Sequence, residues 1–272
     1  MHFKKFIIFL FVVSASLTSH LLHASTEGDQ QSVFYVSYHS IFPAQIRYSS
    51  QNVEEKISKA ISQETAIHSK EGDWTFKYHE GTSILSEKQA LPIVLAPFGY
   101  VLTDGHHDVL SSIHFGAEMI PIKIIADLSA LDYEAFWKEA ENRGWAYLYA
   151  IGGNRSLPPV DFSELVDDSN RYFAAITARK FPDGLGSSES FGAEYPLWIK
   201  IGKDIPFIEF KIADALWAKG FIYDAEAMGD PPRVEDVEFA RKILQESPVE
   251  GLRFVPERMH YSEVCLSTSL ER

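Results

Sequence analysis

Tyr100-Val101-Leu102-Thr103-Asp104-Gly105-His106-His107-Asp108-Val109-Leu110 is the stretch on which the fold turns. Upstream, Leu91 to Leu95 reads as a buried strand, Ala96-Pro97-Phe98-Gly99 as a turn, and Tyr100 to Thr103 as a second short strand. The chain breaks at Asp104-Gly105. It then shows helical spacing through Val109, Leu110, Ile113 and Phe115, ending near Gly116. Two imidazoles and a carboxylate therefore sit where a strand hands over to a helix. First-turn amides are free there, and the positive helix end can hold an anion.

Outward from this point the pattern predicts strands at Val33 to Tyr38 and Ile120 to Ala126, with Pro121 marking an edge or a strand start. Ile41 to Arg47 reads as a turn and loop, and Trp74 to Ser83 as an irregular linker. Helices are predicted at Val53 to Ala66, Asp132 to Arg143, Phe162 to Leu165, Ser169 to Lys180 and Pro206 to Lys219. Trp145 to Tyr149 reads as strand-like. A Gly/Ser-rich loop covers 183–192, and Pro231-Pro232 opens a last helix over 234–246. Strands early and helices late give an α+β class: a mixed sheet with flanking helices and a helical C-terminal extension.

Lys4 and Lys5, the apolar run Phe6 to Val13 and Leu22-His23-Ala24 have the layout of a cleaved signal peptide over residues 1–24. The expected division is 1–24 signal, 25–222 main domain and 223–272 C-terminal helical tail. The expected location is the periplasm or the exterior, with no stable membrane insertion once the signal is gone. Cys265 is alone, which excludes an intramolecular disulfide and a cysteine metal site. Formal charge is −13, and removing Lys4 and Lys5 takes it to −15. So acidic a chain repels long polyanions unless a basic patch is local.

An ordered series of segments resembles a known family. It runs Phe42-Pro43-Ala44-Gln45, Pro92-Ile93-Val94, Leu102-Thr103-Asp104-Gly105-His106-His107, then Ile124-Ile125-Ala126-Asp127-Leu128-Ser129. It continues through Phe136-Trp137, Gly144-Trp145, Leu165-Val166-Asp167-Asp168 with Arg171, and Phe210-Lys211-Ile212-Ala213-Asp214. Over about residues 33 to 222 the chain resembles the ParB-like nuclease family, within the wider ParB/sulfiredoxin fold superfamily. In partition ParB proteins the equivalent turn resembles Gly-Glu-Arg-Arg and cradles nucleotide phosphates. In sulfiredoxins it resembles Gly-Cys-His-Arg, whose cysteine is the nucleophile. Here the turn is Gly105-His106-His107-Asp108, so sulfiredoxin chemistry is excluded at this motif.

The resemblance implies a phosphoester hydrolase with its site at the Asp-Gly-His-His turn. His106 or His107 would be the general acid or base, and Asp104 would orient it or hold a divalent metal ion. Gly105, Asp108, Gln45 and Arg47 would form the phosphate- or substrate-binding set. The ligand class would be a phosphate-bearing molecule or nucleic acid. The residues alone also allow a structural reading, with Asp104 capping the helix and His106 half-buried. On a helix His106 shares a face with Val109, Leu110 and Ile113, and His107 one with Ser111 and His114.

Asp167, Asp168 and Arg171 are either a metal or substrate clamp, or a helix cap with a surface pair. Glu209 and Asp214 read as a solvated edge and a buried polar contact. Trp137, Trp145, Trp198 and Trp217 read as core rather than a base-stacking platform. Two further readings stay open: a non-catalytic exported module binding a small anion or a protein, and a nucleotide-dependent phosphotransferase. No His-Glu-x-x-His, Walker or Gly-x-Ser-x-Gly motif occurs, which disfavours a zinc protease, a P-loop enzyme or a serine esterase.

Overall fold

A computed structural model describes residues 32–70, 72–179, 198–200, 206–229, 232–247, 249–250 and 252–254. The signal segment, the Gly/Ser-rich loop, Pro231, Cys265 and the Trp198 side chain lie outside the described residues. In chain order the first elements are β1 (Val33–Ser37), β2 (Ile41–Pro43), β3 (Arg47–Tyr48), α1 (Ser50–Ser62), β4 (Ala66–His68) and β5 (Trp74–Phe76). Then come β6 (Leu91–Ala96), β7 (Gly99–Leu102), α2 (His106–His114), β8 (Met119–Asp127), α3 (Tyr133–Asn142), β9 (Val166–Asp167) and α4 (Ser169–Thr177). The remainder is β10 (Ala178–Arg179), β11 (Trp198–Lys200), α5 (Ile208–Trp217), α6 (Ala225–Met228), α7 (Val234–Glu246) and β12 (Leu252–Phe254).

The central sheet is five-stranded and mixed, in the order β1-β8-β6-β7-β2. The Pro97–Phe98 turn joins β6 and β7 as an antiparallel pair, with Ala96 opposite Gly99. β2 and β7 are parallel, as are β6 and β8. β8 is interior, so Pro121 is no edge marker. It opposes Tyr35 of β1, while the β6 ladder begins one residue later at Ile122, so it sits at the strand's start.

Side chains alternate across the sheet, as the two-residue pleat requires. Ile93 and Leu102 point into one cluster with Val109, Phe115 and Ala60, beneath α1 and α2. Val94 and Val101 point into the other with Phe136, Trp137 and Leu148, beneath α3. A third cluster is helical: Phe173, Ile212, Leu216, Phe221 and Tyr223 pack with Ala240 and Leu244 of α7. Among the described residues no helix is long and apolar enough to cross a membrane.

Three stretches differ from the pattern, the first because distant segments supply its pairing, the second because it finds no continuous ladder and the third because a neighbouring segment pairs with it. Ile41 to Arg47, expected as turn and loop, contains β2 and β3, paired in parallel with β7 and β9. Trp145 to Tyr149, expected as strand-like, makes only isolated bridges from Tyr147 to Gln45 and from Tyr149 to Arg155. Trp74 to Ser83, expected as irregular, begins with β5 in a hairpin with β4.

Candidate functional site

Gly105 forms the corner between β7 and α2. Its φ is +89°, and a Cβ added there would lie 2.7 Å from Leu91 Cδ2. Both the left-handed backbone and the close approach require glycine. Gly105→Ala is therefore expected to cost about 1–3 kcal/mol, measurable as a lowered urea midpoint at unchanged slope. Asp104 is exposed, and its Oδ1 accepts the Gly105 N–H at 2.7 Å. The N-cap position belongs to Gly105 instead, and the helix has no side-chain cap. The Asp108 N–H donates to the Gly105 carbonyl at 2.9 Å, which leaves the His106 and His107 amides of the first turn in need of an acceptor.

The two imidazoles face inward. His106 is 2% and His107 9% exposed. His106 Nε2 accepts the Ala44 N–H at 3.1 Å, and His107 Nε2 accepts the Ser49 N–H at 3.2 Å. Both rings must be neutral to accept these bonds, and their surroundings keep them so. Burial, then the Arg171 charge, pushes His106 down to about 3. The same two causes, with His106 and Lys56 added, push His107 down to about 2. The different helix faces expected from spacing are real, and each ring staples α2 to a different backbone atom between β2 and α1. General acid–base work at neutral pH needs a ring that can take and give a proton there, so these rings suit a supporting role.

Arg47 is likewise not where a substrate arginine would be. It is fully buried, and its Nη1 donates to Asp168 Oδ2 at 2.9 Å and to Asp214 Oδ1 at 2.8 Å. Nη2 donates to Asp214 Oδ2 at 3.1 Å. The guanidinium lies over the Tyr147 and Phe210 rings, 5.4 and 5.1 Å from their centroids. Tyr147 donates its hydroxyl to Asp214 and Trp217 its indole N–H to Asp168. Burial first, then the Asp214 bond, raises the Tyr147 phenol above its ordinary range. Asp214, expected as a buried polar contact, makes that contact with buried Arg47 while its own side chain stays 17% exposed. Asp108 pairs with Lys56 at 2.7 Å on the α1 side, away from any open cleft shared with Asp104.

Asp168 caps α4 through the Arg171 N–H, and Asp167 takes both the N–H and the hydroxyl of Ser50. Arg171 does not form the surface pair that the capping alternative expected. It is only partly exposed, donates Nη1 to Asn52, and its Nε is buried with no partner. Burial lowers its pKa, opposed by Glu209, Asp104 and Asp168. Arginine stays charged in such surroundings all the same.

Arg171 leads to a cleft of about 430 Å³ lined by Gln45, Thr103, Asp104, Arg171, Glu209 and the rings of Trp145, Phe207 and Phe210. Ile125 also lines it, the extra residue of a bulge where β8 slips against β6 between Ile93/Ile124 and Val94/Ala126. Such bulges re-aim a strand beside working sites. Gln45 is 6% exposed, and among the described residues no hydrogen bond engages its amide side chain. Gly144 forms part of the rim, and a Cβ there would meet Pro206 at 2.4 Å.

Of the residues expected at the site, Asp104 and Gln45 reach this cleft, while Gly105, next to Asp104, is not in its lining. His106, His107, Arg47 and Asp108 are not in its lining. Arg171, weighed from its spacing as one arm of a clamp with Asp167 and Asp168, lines the cleft without them, and Glu209, Trp145 and Phe207 are the members that spacing did not single out as binding residues. Gly144-Trp145 and Arg171 did fall within the segments that carry the family resemblance. Among the described residues no group of three or more His, Cys, Asp or Glu could hold a metal ion.

A family model described as "Putative ParB-like nuclease" matches residues 34–182. A solved structure, the protein Atu1540 from Agrobacterium tumefaciens, superposes with a TM-score of 0.55 at 22% identity. That superposition covers 81% of this chain and 95% of the other, and it establishes a shared fold. No curated protein matches the chain.

Proposed function

The chain belongs to the ParB-like nuclease family, and from that premise we propose that it is an exported phosphoester hydrolase working in the Asp104–Arg171 cleft. The observation that carries this reading is Arg171: a guanidinium lining an open cleft, with a buried and unpartnered Nε, beside the Asp104-Gly105 turn. A buried donor without an acceptor is costly, and a phosphoryl oxygen is a fitting one. The first-turn amides of α2 favour the same charge.

In this reading Arg171 binds the phosphoryl group and stabilises the charge that develops as water attacks phosphorus. Asp104, exposed at the turn, takes the proton of that water. The water oxygen–phosphorus bond forms, the bond to the leaving oxygen breaks, and the leaving group departs as a phenolate, or as an alkoxide that takes up the proton held on Asp104 and leaves as the alcohol. His106 and His107 act by holding the 44–49 segment, and with it Gln45, against α2. Lys4, Lys5 and the apolar Phe6 to Val13 support export with cleavage after Ala24, checked by the mass of a secreted chain beginning at Ser25.

Hydrolysis of bis(p-nitrophenyl) phosphate tests the catalytic reading. Arg171→Lys keeps the charge but loses the planar fork, and is expected to lower kcat/KM by about 10²–10³-fold with a small change in Tm. Wild-type protein that turns over neither phosphodiesters nor phosphomonoesters, with or without divalent cations, overturns it.

A further inference from the structure

A second cavity, of about 520 Å³, opens beside α2 and shares no lining residue with the Asp104–Arg171 cleft. Its walls are the turn before β2, the C-terminal half of α2 and the segment 160–163. Leu110 and Ile113 follow His106 along one helix face, at steps of four and three residues. His106 is covered by the fold, its ring 6.2 Å from that of Phe162. Leu110 and Ile113 stay only half-buried, because the cavity lies over them. Ile41 and Phe162, both buried, complete an apolar floor. Val160, also in the lining, leaves 61% of its surface in water.

The polar part of the lining is acidic. Asp161 Oδ1 accepts the hydroxyl and the N–H of Ser163, at 2.5 and 2.7 Å. Those two bonds hold its carboxyl below the usual carboxylate range, so it carries charge at neutral pH. Among the described residues no cation pairs with Asp161, and no lysine or arginine lines the cavity. The ring faces of Tyr38 and Phe162, also in the lining, favour a cation over an anion in the same way.

We infer that this cavity binds a small amphipathic cation: a primary ammonium group on an apolar body. The ammonium lies at Asp161, and the body lies over Leu110, Ile113 and Phe162. A volume of about 520 Å³ falls within the roughly 300–1,000 Å³ of small-molecule sites. A net charge of −13 for the full chain draws cations and repels acids of the same shape. The assignment does not depend on hydrolysis in the other cleft.

Calorimetry at pH 8 with 2-phenylethylamine, 2-phenylethanol and 3-phenylpropanoate tests it, since the three share one ring and differ in head charge. The amine is expected to bind at least about tenfold tighter than the alcohol, the effect of one charge-assisted bond, and the carboxylate to bind weakest. Asp161→Asn keeps the acceptor for Ser163. It is expected to bring the amine down to the affinity of the alcohol and to leave the alcohol unchanged. Leu110→Ala is expected to weaken amine and alcohol alike, by at least about threefold. Asp161 is exposed, so the test stands if Leu110→Ala fails to fold.

Equal affinity for amine and alcohol, an amine affinity that Asp161→Asn leaves unchanged, or no binding of the amine at millimolar concentration overturns the inference. A dimer in sedimentation equilibrium that Val160→Glu dissociates would give the cavity to a second copy of the chain, and overturns it as well.

Discussion

Arg47→Met is expected to destabilise the folded chain by about 3–5 kcal/mol, a large share of the roughly 5–15 kcal/mol that holds a domain together. The methionine fills much of the arginine's volume but leaves Asp168 and Asp214 facing each other without their cation. Asp168 is fully buried, and removing one partner of a buried pair strands the other's charge. The bond from Trp217 to Asp168 and that from Tyr147 to Asp214 remain, and they are too few to replace three charge-assisted bonds. Urea unfolding followed by far-UV circular dichroism measures the loss. Adding Asp168→Asn and Asp214→Asn to Arg47→Met should recover much of it, because a neutral set has no charge to desolvate. No recovery would mean that packing around the guanidinium, not charge, carries the cost.

Acid should unfold this protein early. His106 and His107 stay neutral in the fold down to about 3 and about 2, while an unfolded imidazole takes its proton near 6.5. Below pH 6.5 the unfolded chain therefore binds two protons that the native chain refuses. Stability contributed by the pair is complete above that pH and falls as pH drops towards 3. The two sites together give a slope of roughly 3 kcal/mol per pH unit over that window. Two units of acidification then remove about 5–6 kcal/mol, the whole stability of a domain at the low end of the usual range.

His107→Gln keeps an acceptor for the Ser49 N–H and removes one of the two titrations. The slope of unfolding free energy against pH between 6 and 4 should fall by about half. An unchanged slope would assign the acid sensitivity to carboxylates instead.

The strand-turn-strand-helix unit around residue 105 was legible because every signal in it is local. A continuous apolar run makes β6, Pro97-Phe98-Gly99 makes the turn, and Asp104-Gly105 breaks the chain before the 3.6-residue pattern of α2. β2 and β3 were not legible, since their pairing comes from residues 59 and 119 positions away in the chain. The site divides in the same manner. Asp104 and Gln45 could be found because they sit at the turn and at the loop beside it. His106 and His107 drew attention as consecutive imidazoles, yet a helix packed against both the sheet and α1 buries both faces.

Arg47 seemed a local positive charge in an acidic chain. Only the fold brings Asp168 and Asp214, far along the chain, to meet it. Arg171 was legible as an arm of a clamp with Asp167 and Asp168, but nothing in its spacing shows that it shares a cleft with Glu209 at the start of α5 instead. The left-handed backbone at Phe207 has no sequence signature at all.

A crystal grown in inorganic phosphate, with Arg171→Ala crystals grown alongside, measures the anion site itself. Density for one phosphate is expected against the Arg171 guanidinium and the main-chain amides of His106 and His107, and it should vanish in the variant. Phosphate bound elsewhere, or a cleft without phosphate at millimolar concentration, would contradict the assignment of this cleft as the place where the protein works.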